Sequence, residues 1–309
     1  MENELVALSR QLVEVVERVN RAVVSVEARR RFSSSGVHWR PGVVVTAEHT
    51  IRRAEEIAVG LPDGRSVTAT LSGRDPGTDL AVLKIDAQDL PVTVAAAAPS
   101  EAEPVFQPGQ LALTVGRSPD TGVTATMGII SSVSGAWRSW RGGRIDRFVR
   151  LDLAAYPGTS GSAVVDAAGR VLGIATAGLS RISSVAIPAT TVDRVVNDLL
   201  SKGHVARGYL GVGLHPVSLP DHLMKQAGIS ESSGLIVLSV ENEGPAARAG
   251  ILVGDILLAL GGKPLGDTDD VQAALDAESV GKTLELLLVR GGETRKLAVT
   301  VGERAWRAA

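Results

Sequence analysis

Cysteine is absent from the 309 residues of this sequence, which excludes disulfide bonds, zinc–thiolate sites and cysteine nucleophiles. Aromatic residues are scarce at 3%, whereas hydrophobic residues reach 44%. The core must therefore consist mainly of Val, Ala, Leu and Ile. Because the chain also contains 34 glycines, this composition favours a β protein with many tight turns.

The sequence also lacks a large charge imbalance and long apolar runs. Its formal net charge is −2, and no aromatic stacking surface accompanies its arginines, so we expect no nucleic-acid partner. No apolar run is long enough to span a membrane. Residues 1–19 lack the basic segment and apolar stretch of a signal peptide, so we expect a cytoplasmic location.

No pattern of metal or cofactor ligands stands out, and we expect neither a metal nor a cofactor. Gly281-Lys282-Thr283 matches the end of a phosphate-binding loop. That loop requires a glycine five residues earlier, where this chain has Asp276, so no nucleotide site is implied.

The spacing of apolar residues predicts two helices and a region of short strands in the first two thirds of the chain. Residues 4–19 carry apolar residues at helical spacing and predict an amphipathic helix. From about residue 21 to residue 190, short apolar stretches alternate with turn signals, which is typical of barrels or a sandwich. Residues 92–110 lack such a pattern and predict a connection between two β halves. Residues 190–201 predict a second amphipathic helix.

The stretch AAYPGTSGSAV, residues 154–164, places Ser160 close to Gly158 and Gly161. This pattern has two interpretations. It is either a tight turn with a bystander serine, or a turn whose glycines let backbone N–H groups point towards a reacting carbonyl. A nucleophilic serine also needs an imidazole base and an acid that orients it.

Candidates for both partners occur upstream. His49 follows the apolar run VVVTAE, so it lies at the end of a predicted strand, and Asp79 directly precedes the apolar run LAVL. The order His49, Asp79, Ser160 is that of the chymotrypsin-type triad. The remaining histidines lie in a polar turn, after a helix end or far along the chain: His38, His204, His215 and His222.

Three motifs resemble those of the HtrA/Deg family of serine proteases: TAEHT around His49, DLAVLKI from Asp79 to Ile85, and PGTSGSAV around Ser160. The resemblance covers about residues 10–303. In the third motif Ser162 adds a Cβ where the family has glycine, but this departure removes no catalytic group. The other departures there are Thr159, Ala163 and Val164.

The resemblance implies a mostly β fold, with a trypsin-like double β-barrel protease domain followed by a small α+β PDZ domain. The implied divisions are an N-terminal amphipathic helix or segment (1–20), the protease domain (21–202) with barrels at 21–95 and 108–190 and a closing helix at 190–201, a linker (203–208), and the PDZ domain (209–303).

Residue roles also follow from the resemblance. Ser160 is the nucleophile, His49 is the general base and acid, and Asp79 orients His49. The N–H groups of Gly158 and Ser160 form the oxyanion hole. The expected substrate pocket contains no acidic residue, which favours cleavage after small or medium aliphatic residues. Its members are Ala154, Ala155, Ile174, Ala175, Thr176 and Ala177.

The C-terminal part resembles the PDZ domains of the same family. Tyr209, Leu210, Gly211 and Val212 match the carboxylate-binding loop, and the stretch GLIVLSVENEGPAARAGILVGDILLALGGKPL matches the middle of the domain. A helix at about 269–277 would form the other wall of a peptide groove. PDZ domains bind extended C-terminal peptides at a sheet edge.

The resemblance therefore implies an ATP-independent serine endopeptidase that cleaves unfolded or damaged proteins in quality control and stress response, with a PDZ domain that binds exposed C-termini. It also implies a homo-oligomer, a trimer for which residues 4–19 and Phe32 are the candidate contacts, and a regulatory loop at 137–147. Two alternatives stay open. One is a catalytically weak or inactive protease-like chaperone or scaffold, and the other is a processing protease of narrow specificity.

Overall fold

The computed structural model describes residues 3–29, 32–87, 89–92, 106–180, 182–220, 224 and 232–304. The chain forms two compact units, Met1–Val205 and Ala206–Ala309, and their division falls within the predicted linker. Most of the predicted connection between the two β halves, residues 93–105, lies outside the described residues.

The first barrel of the N-terminal unit is closed and antiparallel, in the order β1-β2-β3-β6-β5-β4. A short 3-10 helix, Glu48–Thr50, follows β3. The strands are β1 (Val23–Glu27), β2 (Ser34–Arg40), β3 (Val43–Ala47), β4 (Ile57–Gly60), β5 (Ser66–Asp75) and β6 (Leu80–Ile85).

The second barrel is also closed, in the order β11-β14-β13-β12-β7-β8, while β9 and β10 form a separate hairpin. The expected double β-barrel is therefore confirmed. The strands are β7 (Leu111–Ser118), β8 (Gly122–Ser134), β9 (Trp137–Arg138), β10 (Arg144–Ile145), β11 (Phe148–Asp152), β12 (Ala163–Val165), β13 (Val171–Thr176) and β14 (Ser184–Pro188).

Burial on both faces explains why strands of the first barrel read as continuous apolar runs. Successive side chains of a strand point to opposite faces. In β3, Val44 packs in the interior of the first barrel. Val43 and Val45 point the other way, into a second core that includes residues of both barrels and of the closing helix. The two barrels are therefore joined by a continuous apolar layer.

Two helices pack against this second core. Helix α1 (Glu4–Asn20) is capped by Asn3, whose side chain accepts a hydrogen bond from the Leu5 N–H. This helix buries Val15 and Val19. Helix α2 (Ala189–Lys202) ends at Gly203, which has a φ of 77° that favours glycine. In the described part of the chain, no helix is long and apolar enough to cross a membrane.

The C-terminal unit is a small α+β domain, as expected. Its sheet has the order β16-β17-β18-β20-β21, with β19 paired to β18, and β15 pairs with β22. Its strands are β15 (Gly208–Tyr209), β16 (Val212–Ser218), β17 (Ser233–Val240), β18 (Ile256–Leu260), β19 (Lys263–Pro264), β20 (Thr283–Arg290), β21 (Glu293–Thr300) and β22 (Gly302–Glu303). Its helices are α3 (Pro245–Arg248), α4 (Thr268–Ala274) and a 3-10 helix (Ala277–Ser279).

A buried ion pair stabilises this unit. Asp255 is 1% exposed, and its two carboxylate oxygens accept hydrogen bonds of 2.7 Å from Nε and Nη2 of Arg290. The Leu252 N–H donates a further bond of 2.8 Å. Burial alone would raise the pKa of Asp255, but the bonds from Arg290 and Leu252 outweigh it and lower the pKa below its ordinary value.

We predict that Asp255→Asn destabilises the C-terminal unit at pH 7 by about 2–3 kcal/mol, because Arg290 loses its charged partner. A lowered folded-state pKa gives stability that is present above the unfolded pKa of about 3.9 and is lost as pH falls through the folded pKa. The difference between wild type and variant should therefore shrink in acid. Urea unfolding of the full chain at pH 7 and at low pH measures both effects.

Glu293→Gln is the matched control, since the Glu293–Arg295 pair is exposed and its atoms are 3.4 Å apart. We expect this variant to change stability by at most about 1 kcal/mol. Equal losses for the two variants would contradict the importance of the buried pair.

Candidate active site

The structure brings His49 and Asp79 into direct contact. His49 lies in the 3-10 helix after β3, and Asp79 lies just before β6, the neighbour of β3 in the barrel. The His49 Nδ1 atom is 2.8 Å from Asp79 Oδ2 and 3.1 Å from Oδ1, and the His49 backbone N–H donates to Oδ1 at 2.9 Å. A carboxylate only accepts, so Nδ1 carries the proton and neutral imidazole keeps a lone pair on Nε2.

The turn before β6 positions the Asp79 carboxylate. Asp75 is 3% exposed and accepts hydrogen bonds from the N–H groups of Gly77 and Thr78 and from the Thr78 hydroxyl. Asp79 has a φ of 57°, in the left-handed region that non-glycine residues rarely adopt. The side chain of Asp79 is 2% exposed. This strained, buried geometry is therefore held by the turn and by the partners of the carboxylate.

Residues 176–178, at the end of β13, contact all three expected triad residues. The Thr176 hydroxyl donates to Asp79 Oδ2 and accepts a hydrogen bond of 2.8 Å from the Gly178 N–H. The Ala177 N–H donates to Ser160 Oγ at 3.3 Å. A Cβ at position 178 would lie 2.6 Å from His49 Nδ1 and 2.5 Å from Asp79 Oδ2. The three expected triad side chains therefore border one short backbone segment.

Ser160 lies on a turn whose outward N–H groups are available. Gly158 has a φ of 97°, which only glycine adopts without strain. Other amides of the turn are bonded: Thr159 N–H donates to Tyr156 O, and Gly161 N–H donates to Ala175 O. Among the described residues, the N–H groups of Gly158 and Ser160 donate no hydrogen bond. They are the two donors expected to form the oxyanion hole.

The Ser160 hydroxyl has a hydrogen-bond partner other than the imidazole in this structure. Its described hydrogen bond is the one from Ala177 N–H, and within the described part of the chain it makes none to His49. Catalytic hydrogen bonds are commonly long or misaligned without substrate and tighten in the complex.

The side chain of Ser162, which departs from the family pattern, fits into a buried space beside β7. Its side chain is 1% exposed and lies against the α-carbon of Gly116 on β7, where a Cβ would clash with the Ser162 Oγ. Its N–H donates to Thr159 O at 3.0 Å, and its carbonyl accepts from Ala175 N–H at 2.9 Å. The extra hydroxymethyl group is therefore accommodated by a glycine on the neighbouring strand rather than by displacing the turn.

Glu48 connects the histidine to the hairpin formed by β9 and β10. Burial, together with the negative charge of Asp79, raises the pKa of Glu48 above its ordinary value. Arg74 and Arg141 oppose that shift, with ion-pair distances of 3.8 and 3.5 Å to its carboxylate. Arg141 belongs to the hairpin, which also bonds the turn before Asp79 through the Ser139 hydroxyl and Gly77 O at 2.6 Å. The predicted regulatory segment thus contacts Glu48 and Gly77, which lie next to His49 and just before Asp79 in the chain.

The two tryptophans of this hairpin differ in environment. Trp137 packs edge-on against Phe148, with ring centroids 5.3 Å apart. Trp140 is 72% exposed, and the Arg141 guanidinium lies 4.5 Å from its ring centroid. Trp137 is therefore part of the packed core, whereas Trp140 presents an aromatic surface to solvent.

The other described histidines lie outside this site. His38 is fully buried, with Nδ1 3.1 Å from Pro91 O and Nε2 accepting a hydrogen bond from Gly42 N–H. Burial lowers the pKa of His38. His204 Nδ1 lies 3.0 Å from the Lys202 carbonyl oxygen, and His215 is on β16 of the other unit. His222 lies outside the described residues.

The residues expected to line the substrate pocket divide into two groups. Ala154, Ala155 and Ala177 are exposed. The other three are buried in β13, so they would line a pocket through their backbone, and the pocket stays a prediction. Ile174 packs in the core between the barrels and Ala175 in the core of the second barrel, because successive side chains of a strand point to opposite faces. The Thr176 hydroxyl is committed to Asp79.

In the C-terminal unit, the predicted carboxylate-binding loop lies between β15 and β16. Gly211 has a φ of 78°, and the carbonyls of Leu210 and Gly211 accept hydrogen bonds of 2.8 Å from Ala246 and Glu241. Among the described residues, the N–H groups of Leu210 and Gly211 donate no hydrogen bond. They are therefore available to an external acceptor.

Beside this loop is a sheet edge with an apolar wall. Within the described part of the chain, β16 pairs only with β17, so its other edge is open. Helix α4 packs next to it, and Val271 and Ala274 share an apolar cluster with Leu210 and Val212.

Comparison with known proteins matches both units. The trypsin-like peptidase domain family matches residues 34–174, and the PDZ domain family matches residues 208–301. The solved structure described as "HtrA-type protease AlgW with decapeptide" is 30% identical, covers 96% of this chain and 99% of that chain, and superposes with a TM-score of 0.75. The serine endoprotease from Yersinia pestis is 32% identical over 95% of this chain and 98% of that chain, with a TM-score of 0.75.

This chain belongs to the HtrA family of serine proteases. A curated relative from Halomonas elongata, named "Probable periplasmic serine endoprotease DegP-like", is 33% identical over 282 residues, which are 90% of this chain and 57% of the relative. The chain spans about half the length of such relatives, as also seen for the Brucella suis protein, of which 50% is covered.

The expected cytoplasmic location is wrong. The relatives from Halomonas elongata and Brucella suis are named periplasmic, which points to an extracytoplasmic location. The expectation relied on the absence of a signal at the N-terminus, and such an absence carries no information about location.

Sequence reasoning missed several residues that shape the site. Asp75 was visible only as a turn signal, although an Asp that begins a DPGT stretch is typical of a side chain that bonds backbone N–H groups of its own turn. Thr176 was assigned to the pocket, and its bond to Asp79 spans 97 positions of the chain. No sequence pattern pointed to Glu48 or Ser35 as residues of the site, because their partners, Arg141 and Gly158, lie far away in the sequence.

We predict that Gly178→Ala disturbs the His49–Asp79 pair. The new Cβ would lie within 2.6 Å of atoms of both side chains, so the imidazole must move. The low-field proton NMR signal of His49 Nδ1–H should shift or disappear, with a loss of stability of about 1–3 kcal/mol from overpacking.

Gly135→Ala is the control for this substitution. Gly135 lies in the same unit, and a Cβ there would meet no atom within 4 Å. An unchanged His49 signal in Gly178→Ala would show that the segment 176–178 does not position the pair.

Proposed function

We propose that this chain is a serine endopeptidase that uses Ser160, His49 and Asp79. The observation that supports this most is the shared contact of residues 176–178 with all three side chains. A second support is the pair of unbonded N–H groups at Gly158 and Ser160 beside the candidate nucleophile. A bystander serine in a tight turn requires neither feature.

The geometry supports the following mechanism. Asp79 keeps the proton of His49 on Nδ1, so that Nε2 accepts the Ser160 proton when the hydroxyl turns away from Ala177 N–H. Ser160 Oγ then bonds to the scissile carbonyl carbon, and the imidazolium gives its proton to the leaving amine as the C–N bond breaks. A water molecule, deprotonated by His49, hydrolyses the resulting ester and regenerates Ser160.

The N–H groups of Gly158 and Ser160 would stabilise the negative oxygen of each tetrahedral intermediate. One such donor typically contributes about 2.7–4 kcal/mol in the transition state. The buried Asp79 carboxylate balances the positive charge that forms on His49 during the same step.

Substrate selection would depend on small side chains near Ser160. Ala154, Ala155 and Ala177 are exposed and carry no charge, so a small or medium aliphatic residue before the cleaved bond fits them better than Lys or Arg. An unfolded protein supplies such residues in extended, accessible backbone. Hydrolysis of peptide bonds by this mechanism consumes only water, which agrees with an activity independent of ATP.

The C-terminal unit would bind the C-terminus of a protein chain. A terminal carboxylate would accept hydrogen bonds from Leu210 and Gly211, and the peptide would add a strand to the open edge of β16. Helix α4 supplies the apolar wall through Val271 and Ala274.

Assembly into a homo-oligomer remains a prediction. Helix α1 leaves Leu5, Leu8 and Val13 exposed by 72%, 42% and 53%, which is consistent with a role for its outer face in association.

We predict that Ser160→Ala lowers the turnover of an unfolded protein roughly 10⁶-fold, because no other group replaces the nucleophile. Cleavage sites of the wild type, identified by mass spectrometry, should follow small or medium aliphatic residues. Ser201→Ala is the control, since this exposed helical serine bonds, among the described residues, only within its own helix.

Equal cleavage by Ser160→Ala and wild type would contradict the proposed triad. If wild type cleaves nothing, even with C-terminal peptides added, the binding-scaffold alternative replaces the endopeptidase.

We predict that the full chain binds peptides with a free, aliphatic C-terminus at least about tenfold more tightly than their amidated forms, because the amide cannot act as a carboxylate. Gly211→Ala should weaken this binding, since a Cβ is strained at a φ of 78°. Fluorescence anisotropy measures both effects. Gly262→Ala has nearly the same φ, 77°, in open space and serves as the control. Equal affinities for free and amidated peptides would contradict carboxylate recognition.

A further inference from the structure

Ser35, on β2 of the first barrel, bonds directly to the Ser160 turn of the second barrel. It is 1% exposed. Its hydroxyl donates to Gly158 O at 2.8 Å, and its backbone N–H lies 3.1 Å from Gly158 O and 3.2 Å from Ser160 O. The same hydroxyl accepts a hydrogen bond of 3.0 Å from Arg117 N–H on β7. One buried side chain therefore links the first barrel, the second barrel and the turn.

The remaining hydrogen bonds show which part of the turn depends on this link. The peptide group between Thr159 and Ser160 is fixed, because its carbonyl oxygen, Thr159 O, accepts a hydrogen bond from Ser162 N–H. The peptide that joins Pro157 to Gly158 has no hydrogen bond on either atom among the described residues. The orientation of Gly158 N–H therefore depends on the next peptide group, between Gly158 and Thr159, whose carbonyl oxygen is bonded to Ser35.

Close packing keeps Ser35 in place. A Cβ at Gly161 would clash with the Ser35 carbonyl oxygen, so the turn lies directly on β2. That same oxygen accepts a hydrogen bond of 2.6 Å from Thr46, which lies on β3, the strand that leads to His49. The contact is thus rigid on the side of the first barrel.

We propose that Ser35 is a positioning residue for the oxyanion hole. By holding Gly158 O on the side of the first barrel, it fixes the peptide that follows Gly158 and leaves Gly158 N–H directed away from that barrel, towards the substrate, while Ser162 holds the peptide that carries Ser160 N–H. Ser35 does not touch the substrate itself. This inference rests on the proposed endopeptidase function for its kinetic consequence, but its structural consequence is independent of activity.

The test compares Ser35→Ala with Ser34→Ala in the full chain. Ser34 is equally buried at 1%, and its hydroxyl bonds to Val26 O and to the Thr50 hydroxyl instead of the turn. The two variants therefore lose comparable buried hydrogen bonds. Only one of them loses a bond to the turn.

The first readout is amide hydrogen exchange, which needs no activity. Thr159 N–H belongs to the same peptide as Gly158 O, so its exchange should become about tenfold faster in Ser35→Ala, as expected for the loss of one hydrogen bond. In this variant Gly158 O keeps the Ser35 backbone N–H but loses the hydroxyl, whereas Ser160 O loses no donor. The exchange of Gly161 N–H, which shares its peptide with Ser160 O, should therefore change much less. Ser34→Ala should alter neither amide.

The second readout is kinetic. In Ser35→Ala we expect kcat for a peptide substrate to fall about 10-fold to 100-fold, with KM changed less than about twofold. Affinity for a peptide aldehyde, which forms a tetrahedral adduct, should fall in parallel with kcat, while affinity for the product peptide should not. A merely structural role would change both variants alike.

If Ser35→Ala does not fold, Ser35→Cys provides the second variant, since a thiol fills the position of the hydroxyl but is a weak donor. The inference is overturned if Thr159 exchange is unchanged in the folded variant, or if kcat equals that of Ser34→Ala. If wild type itself lacks activity while Thr159 exchange still accelerates, the proposed function fails and the positioning role of Ser35 remains.

Discussion

The buried carboxylate of Asp79 is the constraint on which the rest of the candidate site depends. A charge removed from water is costly unless donors surround it. The donors here are His49, through both its ring and its backbone, and the Thr176 hydroxyl. Each of them lies on a different structural element, so satisfying one carboxylate brings the end of β3, the turn before β6 and the end of β13 together.

The same requirement explains why the site lies where the two barrels meet. His49 and Asp79 belong to the first barrel, whereas Ser160 and Thr176 belong to the second. The apolar layer that includes Val45 and Ile187 holds the two barrels against each other. Ser35 then ties the Ser160 turn to the first barrel. Apolar packing thus holds the two barrels together, and a few polar contacts orient the reacting groups.

Local signals in the sequence predicted the strands and turns, whereas the double barrel and the PDZ domain followed from the resemblance to a known family. Runs such as VVVTA predict buried strands, and the glycines near Ser160 predict a turn that needs positive φ values. The pairing of His49 with Asp79 could be predicted from motif order alone. Thr176 and Ser35 could not, because each acts on a partner far along the chain and looks like an ordinary strand residue. The sequence did not show that the side chains of Ile174 and Ala175 pack in the two cores, because the direction of a side chain depends on the register of β13. The pocket itself stays a prediction.

Whether Ser160 is an activated nucleophile is measured by treating the wild-type chain with a fluorophosphonate and locating the adduct by mass spectrometry. A serine activated by a histidine and an oxyanion hole reacts with such a reagent, whereas an ordinary serine does not. We expect a single adduct on Ser160. An adduct on another serine, or none on folded protein with C-terminal peptide present, would contradict the assignment of His49, Asp79 and Ser160 as an active triad.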